Sequence, residues 1–301
     1  MSRNLRDYTP INRSLFYCFA LPVKGVAFAK GNVDEVIKIK TKKQNSKLKI
    51  MAKQKTKNLN KNLKFYQWLA GLIDGDGCFL VSSKGYTSLE ITMGLDDLRA
   101  LNIVKQKLGG SVKRRGTYKA YRYRLHHKEG MLKIINNLNG LFQNEIRIKQ
   151  FKNVCLAIDS SITVKASQIV SAENGWFAGF FDADGTISIR KGQYPQLTIS
   201  VSQKTPEILI FFKQFFGGSI RFDKSANCFK WDIHSKTEIL NFVDYTLKYP
   251  VHSFKKRRLF LIREYFDIRE LLNSRNVKKD KLIQNEVGLR WSAFLEKWEI
   301  G

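Results

Sequence analysis

Along residues 196–203, QLTISVSQ, apolar and polar side chains alternate without a break: Leu197, Ile199 and Val201 face one way, Gln196, Thr198, Ser200 and Ser202 the other. A period of two predicts a strand with one face on a core. The next stretch, PEILIFFKQFFGG, changes period and reads as a helix that begins near Pro206 and stops at glycine. GGSIRF and FKWDIH return to alternation and predict a hairpin. Two other stretches, WLAGLIDGDGCF at 68–79 and WFAGFFDADGTI at 176–187, are apolar almost all round, which predicts helices buried on every side.

Those two stretches belong to an internal repeat. Sliding the chain by 108 residues sets Trp68 on Trp176, Gly71 on Gly179, Asp74 on Asp182, Asp76 on Asp184 and Gly77 on Gly185. The register continues through Leu89 and Ile91 on Leu197 and Ile199, GGSVK at 109–113 on GGSIR at 217–221, and YRYRLH at 121–126 on FKWDIH at 229–234. Each copy reads as helix, two strands, helix, two strands, helix, with closing helices that start near Lys149 and Lys255. The expected class is α+β, two pseudo-symmetric αββαββα repeats with two antiparallel sheets. The first repeat spans 63–160 and the second 175–272, joined by a linker at 161–174. An N-terminal extension (1–62) and a C-terminal helical tail (273–301) flank them.

Composition adds a partner. Lys and Arg number 53 against 26 Asp and Glu, a formal net charge of +27. Such an excess repels itself unless a polyanion answers it, so nucleic acid leads over a merely soluble or ribosome-associated basic protein. Residues 1–62 carry 15 Lys and Arg against 3 acids, and 38–61 form a Lys/Asn/Gln tract without periodicity, read as a largely disordered arm. No stretch reaches the ~20 apolar residues of a membrane span. The segment at 15–30 resembles a signal core, but Pro22 and Lys24 interrupt it, so secretion is not expected. Cys18, Cys78, Cys155 and Cys228 lie far apart, which argues for free thiols rather than a zinc site.

The polar faces of the sheets supply candidate contacts: Lys113, Arg115, Arg122, Arg124 and His126 in the first copy. The second copy offers Gln196, Thr198, Ser200, Arg221, Lys230, Asp232 and His234. Long side chains on such a surface can reach base edges while their neighbours hold phosphates. In the motif segments, Gly71 and Gly75, like Gly179 and Ala183, are spaced four apart and let two helices meet backbone to backbone. That pairing brings Asp76 and Asp184 together at two helix C-termini, which are themselves partly negative. Adjacent carboxylates there call for a divalent cation, with Mg²⁺ suited to hard oxygen ligands, and hence for phosphodiester hydrolysis. For Asp74 and Asp182 the plainer role, capping a tight turn, stands at least level with chemistry.

LAGLIDGDG (69–77) and FAGFFDADG (177–185) resemble the doubled motif of single-chain LAGLIDADG homing endonucleases, over residues 63 to about 270. The resemblance implies paired motif helices under a saddle of DNA-binding sheets, a long double-stranded DNA target and metal-dependent cleavage with a staggered break. By position it implies Asp76 and Asp184 as metal ligands, with the backbone carbonyls of Gly75 and Ala183 beside them. It implies Gln203 as an orienter of water, with Leu95 at the matched place in the first copy. It implies Lys149 and Lys255 as lysines that polarise the pocket, Lys256 being the weaker choice. It also implies an intron-encoded, organellar monomer, mitochondrial ahead of chloroplast. The alternative is a group I intron maturase, the same fold bound to intron RNA; retention of both motif acids argues for cleavage.

Overall fold

The computed structural model describes residues 54, 56, 58–116, 118–168, 170–190, 195–274 and 280–300. The signal-like segment, Cys18 and nearly all of the basic arm therefore lie outside the described residues. Of the expected extension, 58–62 already belong to helix α1, which runs over 58–76.

The first repeat continues through β1 (Gly77–Val81), β2 (Thr87–Gly94), a 3₁₀ turn (Leu95–Asp97), α2 (Leu98–Leu108), β3 (Ser111–Arg115) and β4 (Ala120–Leu125). Two helices close it, α3 (Lys128–Leu138) and α4 (Glu145–Ile158). The second repeat has the same order: α5 (Trp176–Asp184), β5 (Gly185–Arg190), β6 (Gln196–Gln203), α6 (Glu207–Phe216), β7 (Ser219–Asp223), β8 (Cys228–Ile233), α7 (Lys236–Lys248) and α8 (Lys255–Asn273). A tail helix, α9 (Lys281–Ile300), follows. The expected αββαββα order is present, with the closing element of each repeat divided in two. In the first copy the break falls at Gly140, whose positive φ of 91° turns the chain. Asn144 then caps α4 by accepting from Ile146 N, so the helix starts at Glu145 and not near Lys149.

Each sheet is antiparallel and four-stranded, in the orders β1-β2-β4-β3 and β5-β6-β8-β7. Leu197, Ile199 and Val201 are buried, as their alternation requires. Gly109 and Gly217 end α2 and α6 at φ 79° and 77°, so the matched GG pairs stop matched helices. Aromatic rings fill the second core: Phe212 meets Trp231 at 5.1 Å between centroids, and Phe216 meets Phe242 at 5.0 Å. Tyr265 on α8 accepts from Leu197 N and donates to Pro195 O, tying that helix to the start of β6. The tail helix stacks Trp291, Phe294 and Trp298 in series beside Tyr265.

The paired helices α1 and α5 lie at the centre. A Cβ placed on Gly71 would stand 1.9 Å from Trp176 O, and one on Gly179 would stand 1.7 Å from Trp68 O. The contacts are reciprocal under the 108-residue shift, which makes the helix pair a pseudo-two-fold axis. Glycine is required here because backbone fills the space that a side chain would need.

Candidate active site at the pseudo-dyad

Asp74 and Asp182 are each 1% exposed, too deep to cap a surface turn or to meet a substrate. Instead they cross-link the repeats. Trp176 Nε1 donates to Asp74 Oδ2 at 2.7 Å, and Trp68 Nε1 donates to Asp182 Oδ2 at 2.7 Å. Each acid also receives the backbone ahead of its own repeat's last helix: Gln143 N on Asp74, His252 N and Ser253 N on Asp182. The two differ in one respect. Ser253 Oγ donates to Asp182 Oδ1, whereas Glu145 stands at the matched position and Asp74 Oδ1 is buried without a partner. Burial accordingly raises Asp74 to about 7.

Two residues further on, the acids reach the helix ends. Asp184 Oδ2 accepts from Gln203 Nε2 at 2.7 Å and lies 2.9 Å from where a Cβ on Gly75 would be. Burial raises Asp184 above the ordinary carboxylate range, with Lys255 and Gln203 pulling the other way. Asp76 is pushed further, to about 7, by burial first and by the Asp184 charge second. Neither repeat alone contains this pair of charges.

The basic residues around the acids are not the pair expected. Lys255 is buried, and its Nζ donates to the carbonyls of Phe181 (3.0 Å), Asp182 (2.6 Å) and Ala183 (3.0 Å). All three protons serve the open carbonyl end of α5, where a cation opposes the helix dipole. Burial lowers Lys255, and the four acids around it, Asp182 foremost, resist that shift. The counterpart in the first copy is Arg147, not Lys149: its Nε donates to Ile73 O (3.2 Å) and its Nη2 to Gly75 O (3.2 Å). Lys149 is exposed one half-turn away. The 108-residue register carries Lys255 onto Arg147, a signal hidden by looking for a lysine. Leu95, opposite Gln203, opens the 3₁₀ turn and offers no polar group. Asp97, also unforeseen, is buried in that turn and accepts from Phe254 N at 2.8 Å, so a first-repeat acid fixes the residue before Lys255.

Two carboxylates at adjoining helix ends, each preceded in the chain by a backbone carbonyl, form a donor set of hard oxygens that fits a divalent cation. Among the described residues no three His, Cys, Asp or Glu gather as a metal cluster. The carbonyls of Gly75 and Ala183 already accept from Arg147 and Lys255, which limits them to a second lone pair.

On the first sheet Lys113, Arg115, Arg122, Arg124 and His126 line one cleft of about 670 Å³. Glu90, not singled out from sequence, lies under them and pairs with Arg122 Nη1 (3.1 Å) and Arg124 Nε (3.2 Å). On the second sheet Arg221 Nε (2.9 Å) and His234 Nε2 (2.6 Å) converge on Asp232, while Thr198 Oγ1 meets His234 Nδ1 at 3.0 Å. Asp232 and Ser200 are themselves buried, at 2% and 1%, which corrects their expected role as surface contacts. Asp232 is the anchor beneath the donors. Gln196 and Lys230 are half-buried on the same sheet. Cys78, Cys155 and Cys228 are free thiols.

The family model for LAGLIDADG endonuclease matches residues 69–158 and 177–266. The intron-encoded RNA maturase bI4 of Saccharomyces cerevisiae is 43% identical over 242 residues, which are 79% of this chain and 37% of the relative. The probable intron-encoded endonuclease aI2 of Debaryomyces hansenii is 39% identical over 81% of this chain and 39% of its own length. This chain thus spans about two fifths of those two relatives. The intron-encoded DNA endonuclease ai2b of Dictyostelium discoideum is 32% identical over 77% of this chain and 88% of its own. Among solved structures, I-GzeII in complex with its DNA target superposes with a TM-score of 0.53 at 15% identity, over 75% of this chain and 96% of that one. I-SmaMI bound to uncleaved DNA with calcium gives 0.52 at 16%, over 75% and 97%. At such identity the likeness shows the fold.

Proposed function

Because this chain belongs to the LAGLIDADG endonuclease family, we propose that it is a site-specific DNA endonuclease of the intron-homing kind. Its reaction is hydrolysis of one phosphodiester in each strand of a long duplex target, leaving a staggered double-strand break. The observation that supports this most is the convergence of Asp76 and Asp184, one from each repeat, at the ends of two helices packed backbone to backbone.

A bound divalent cation, Mg²⁺ in our reading, would neutralise the scissile phosphate and make a water more acidic. The remaining chemistry belongs to the chain. Asp76 and Asp184 would hold the cation and must be ionised to do so, and Asp76 keeps its proton up to about pH 7 until a cation replaces it. Gln203 spends one amide proton on Asp184, which leaves its carbonyl oxygen to orient a water. Arg147 and Lys255 neutralise the carbonyl ends of α1 and α5, so the acids need not repel two helix dipoles as well as each other. Lys113, Arg115, Arg122 and Arg124 would bind phosphates and base edges of one half of the target, and Gln196, Arg221, Lys230 and His234 those of the other. The internal dyad supplies both halves, so the working unit is a monomer, which we assign to an organelle, the mitochondrion first.

A second reading is favoured by one observation, the relative at 43% identity that is named an RNA maturase. On that reading the same chain also binds intron RNA to assist splicing. Incubation with a pool of randomised duplexes, with Mg²⁺ or with EDTA, tests the main reading. Recovery of one long sequence cut on both strands only with Mg²⁺ is expected; equal cutting in EDTA, or none with either, would overturn it.

A further inference from the structure

Phe254 N, the backbone donor just ahead of α8, finds its acceptor in the other repeat: Asp97 Oδ1 at 2.8 Å, 157 residues away. The helix has no side-chain cap of its own. Donors at a helix start are ordinarily met by a side chain close by in the sequence. In the first copy this is what happens. The 108-residue shift carries Phe254 onto Ile146, and Asn144 accepts from Ile146 N at 2.9 Å within the same repeat. Asn144 shifts onto His252, whose ring packs edge-on against Trp68 at 4.7 Å between centroids instead of capping the helix.

The exchange is not returned. Thr205 stands where Asp97 does, is exposed, and bonds through its side chain to Glu207 in its own repeat. Asp97 is 6% exposed, at the end of the 3₁₀ turn that follows β2. A first-repeat carboxylate therefore holds the start of the second repeat's last helix, where a negative charge also suits the helix dipole. The next residue along is Lys255, whose three protons close the helix end that bears Asp184. Asp97 ranks next after Asp182 among the acids that keep Lys255 charged. Arg147, the first-copy cation, depends on no such contact, because Asn144 fixes the start of α4 locally.

We infer that Asp97 is a positioning residue for cleavage: from across the pseudo-dyad it sets Lys255, one of the two cations beside the acid pair, without touching the substrate. The inference rests on the endonuclease reading above and deepens it. Loss of Asp97 disturbs one cation and spares the other, so the two DNA strands are then cut unequally.

The test uses the full chain and the duplex recovered from the randomised pool, each strand end-labelled, in single turnovers with enzyme in excess. Asp97→Ala removes the acceptor. Phe254→Pro removes the donor, and its ring fits the φ of −58° there. Each is expected to slow cleavage at least about tenfold, with the same strand bias as Lys255→Met and with duplex affinity unchanged. Asp97→Asn keeps an acceptor oxygen and should recover most of the rate. In the free protein, Asp97→Ala should speed amide exchange at Phe254 and leave Ile146 at its wild-type rate. Wild-type cleavage by both Asp97→Ala and Phe254→Pro would overturn the inference. Equal slowing of both strands would overturn it too, as the mark of a merely structural residue. A wild type that cuts no duplex would sink the endonuclease reading instead. Exchange at Phe254 would then decide alone: unchanged in Asp97→Ala, it overturns the placement of Lys255 by Asp97; faster, it upholds that placement.

Discussion

The two repeats share a skeleton and use their polar residues differently. The first sheet sets five basic side chains around one cleft, over a single carboxylate, Glu90. The second carries neutral donors, with Arg221 and His234 gathered on a buried acid, Asp232. The difference continues to the dyad. The second half presents Gln203 on Asp184 and saturates Asp182 with Ser253 and two backbone amides. The first half presents Leu95 at the amide position and leaves one oxygen of Asp74 unpartnered. Duplication therefore preserved what the helix pair needs, small residues and two acids per motif. The positions around that pair differ, so one half carries a cluster of basic side chains and the other a polar face tied together by hydrogen bonds.

Substitutions that separate the shared skeleton from the divergent surroundings test this comparison. The largest effect is expected at the shared glycines. Gly71→Ala and Gly179→Ala each drive a methyl group into opposing backbone, and each should cost about 3 kcal/mol or more, measured by denaturant unfolding. If one were tolerated, the helix pair would not be symmetric. The buried acids come next and should differ. Asp182→Asn turns an amide toward four donors and should cost about 3 kcal/mol, whereas Asp74 takes both its side-chain-level bonds on one oxygen, which an amide carbonyl can replace for about 1 kcal/mol or less.

Asp74 also sets a pH dependence. The folded chain holds its proton from the ordinary value of 3.8 up to about 7, a window in which the unfolded chain has lost it. Its contribution to stability therefore falls as pH rises across that window, and Asp74→Asn should flatten the decline in the melting temperature. An unchanged slope would contradict the burial of an unpartnered oxygen. The smallest effects belong to the sheets. Arg122→Ala or Arg124→Ala should each reduce the salt slope of duplex binding by about 1, and Lys230→Ala on the second sheet by less.

Much of this was legible in the chain. Period-two segments became β6, β7 and β8, and the 108-residue register found both motif helices and their acids, whereas Gln203 is singled out only by the family resemblance. The register also contains Arg147, which Lys149 masks by offering the expected residue type at a neighbouring position. What could not be read are partnerships across the dyad. The acceptors of Trp68 and Trp176 lie 114 and 102 residues away, and no local pattern links an indole to an acid in the other repeat. Nor does alternation give depth. Ser200 and Asp232 sit on the polar side of their strands, yet neighbours cover them, so polarity there supplies anchors and not contacts. Glu90 is hard to read from sequence for the related reason that an acid on a basic face looks like an exception until its two arginines are placed.

The central claim is that one acid from each repeat completes a single cation-dependent site. The direct measurement is cleavage of a selected duplex, each strand end-labelled, by wild type, Asp76→Asn and Asp184→Asn in Mg²⁺, with duplex binding followed in parallel. Each substitution is expected to abolish double-strand cleavage and leave binding intact. Double-strand cleavage at the wild-type rate by either variant would contradict the claim.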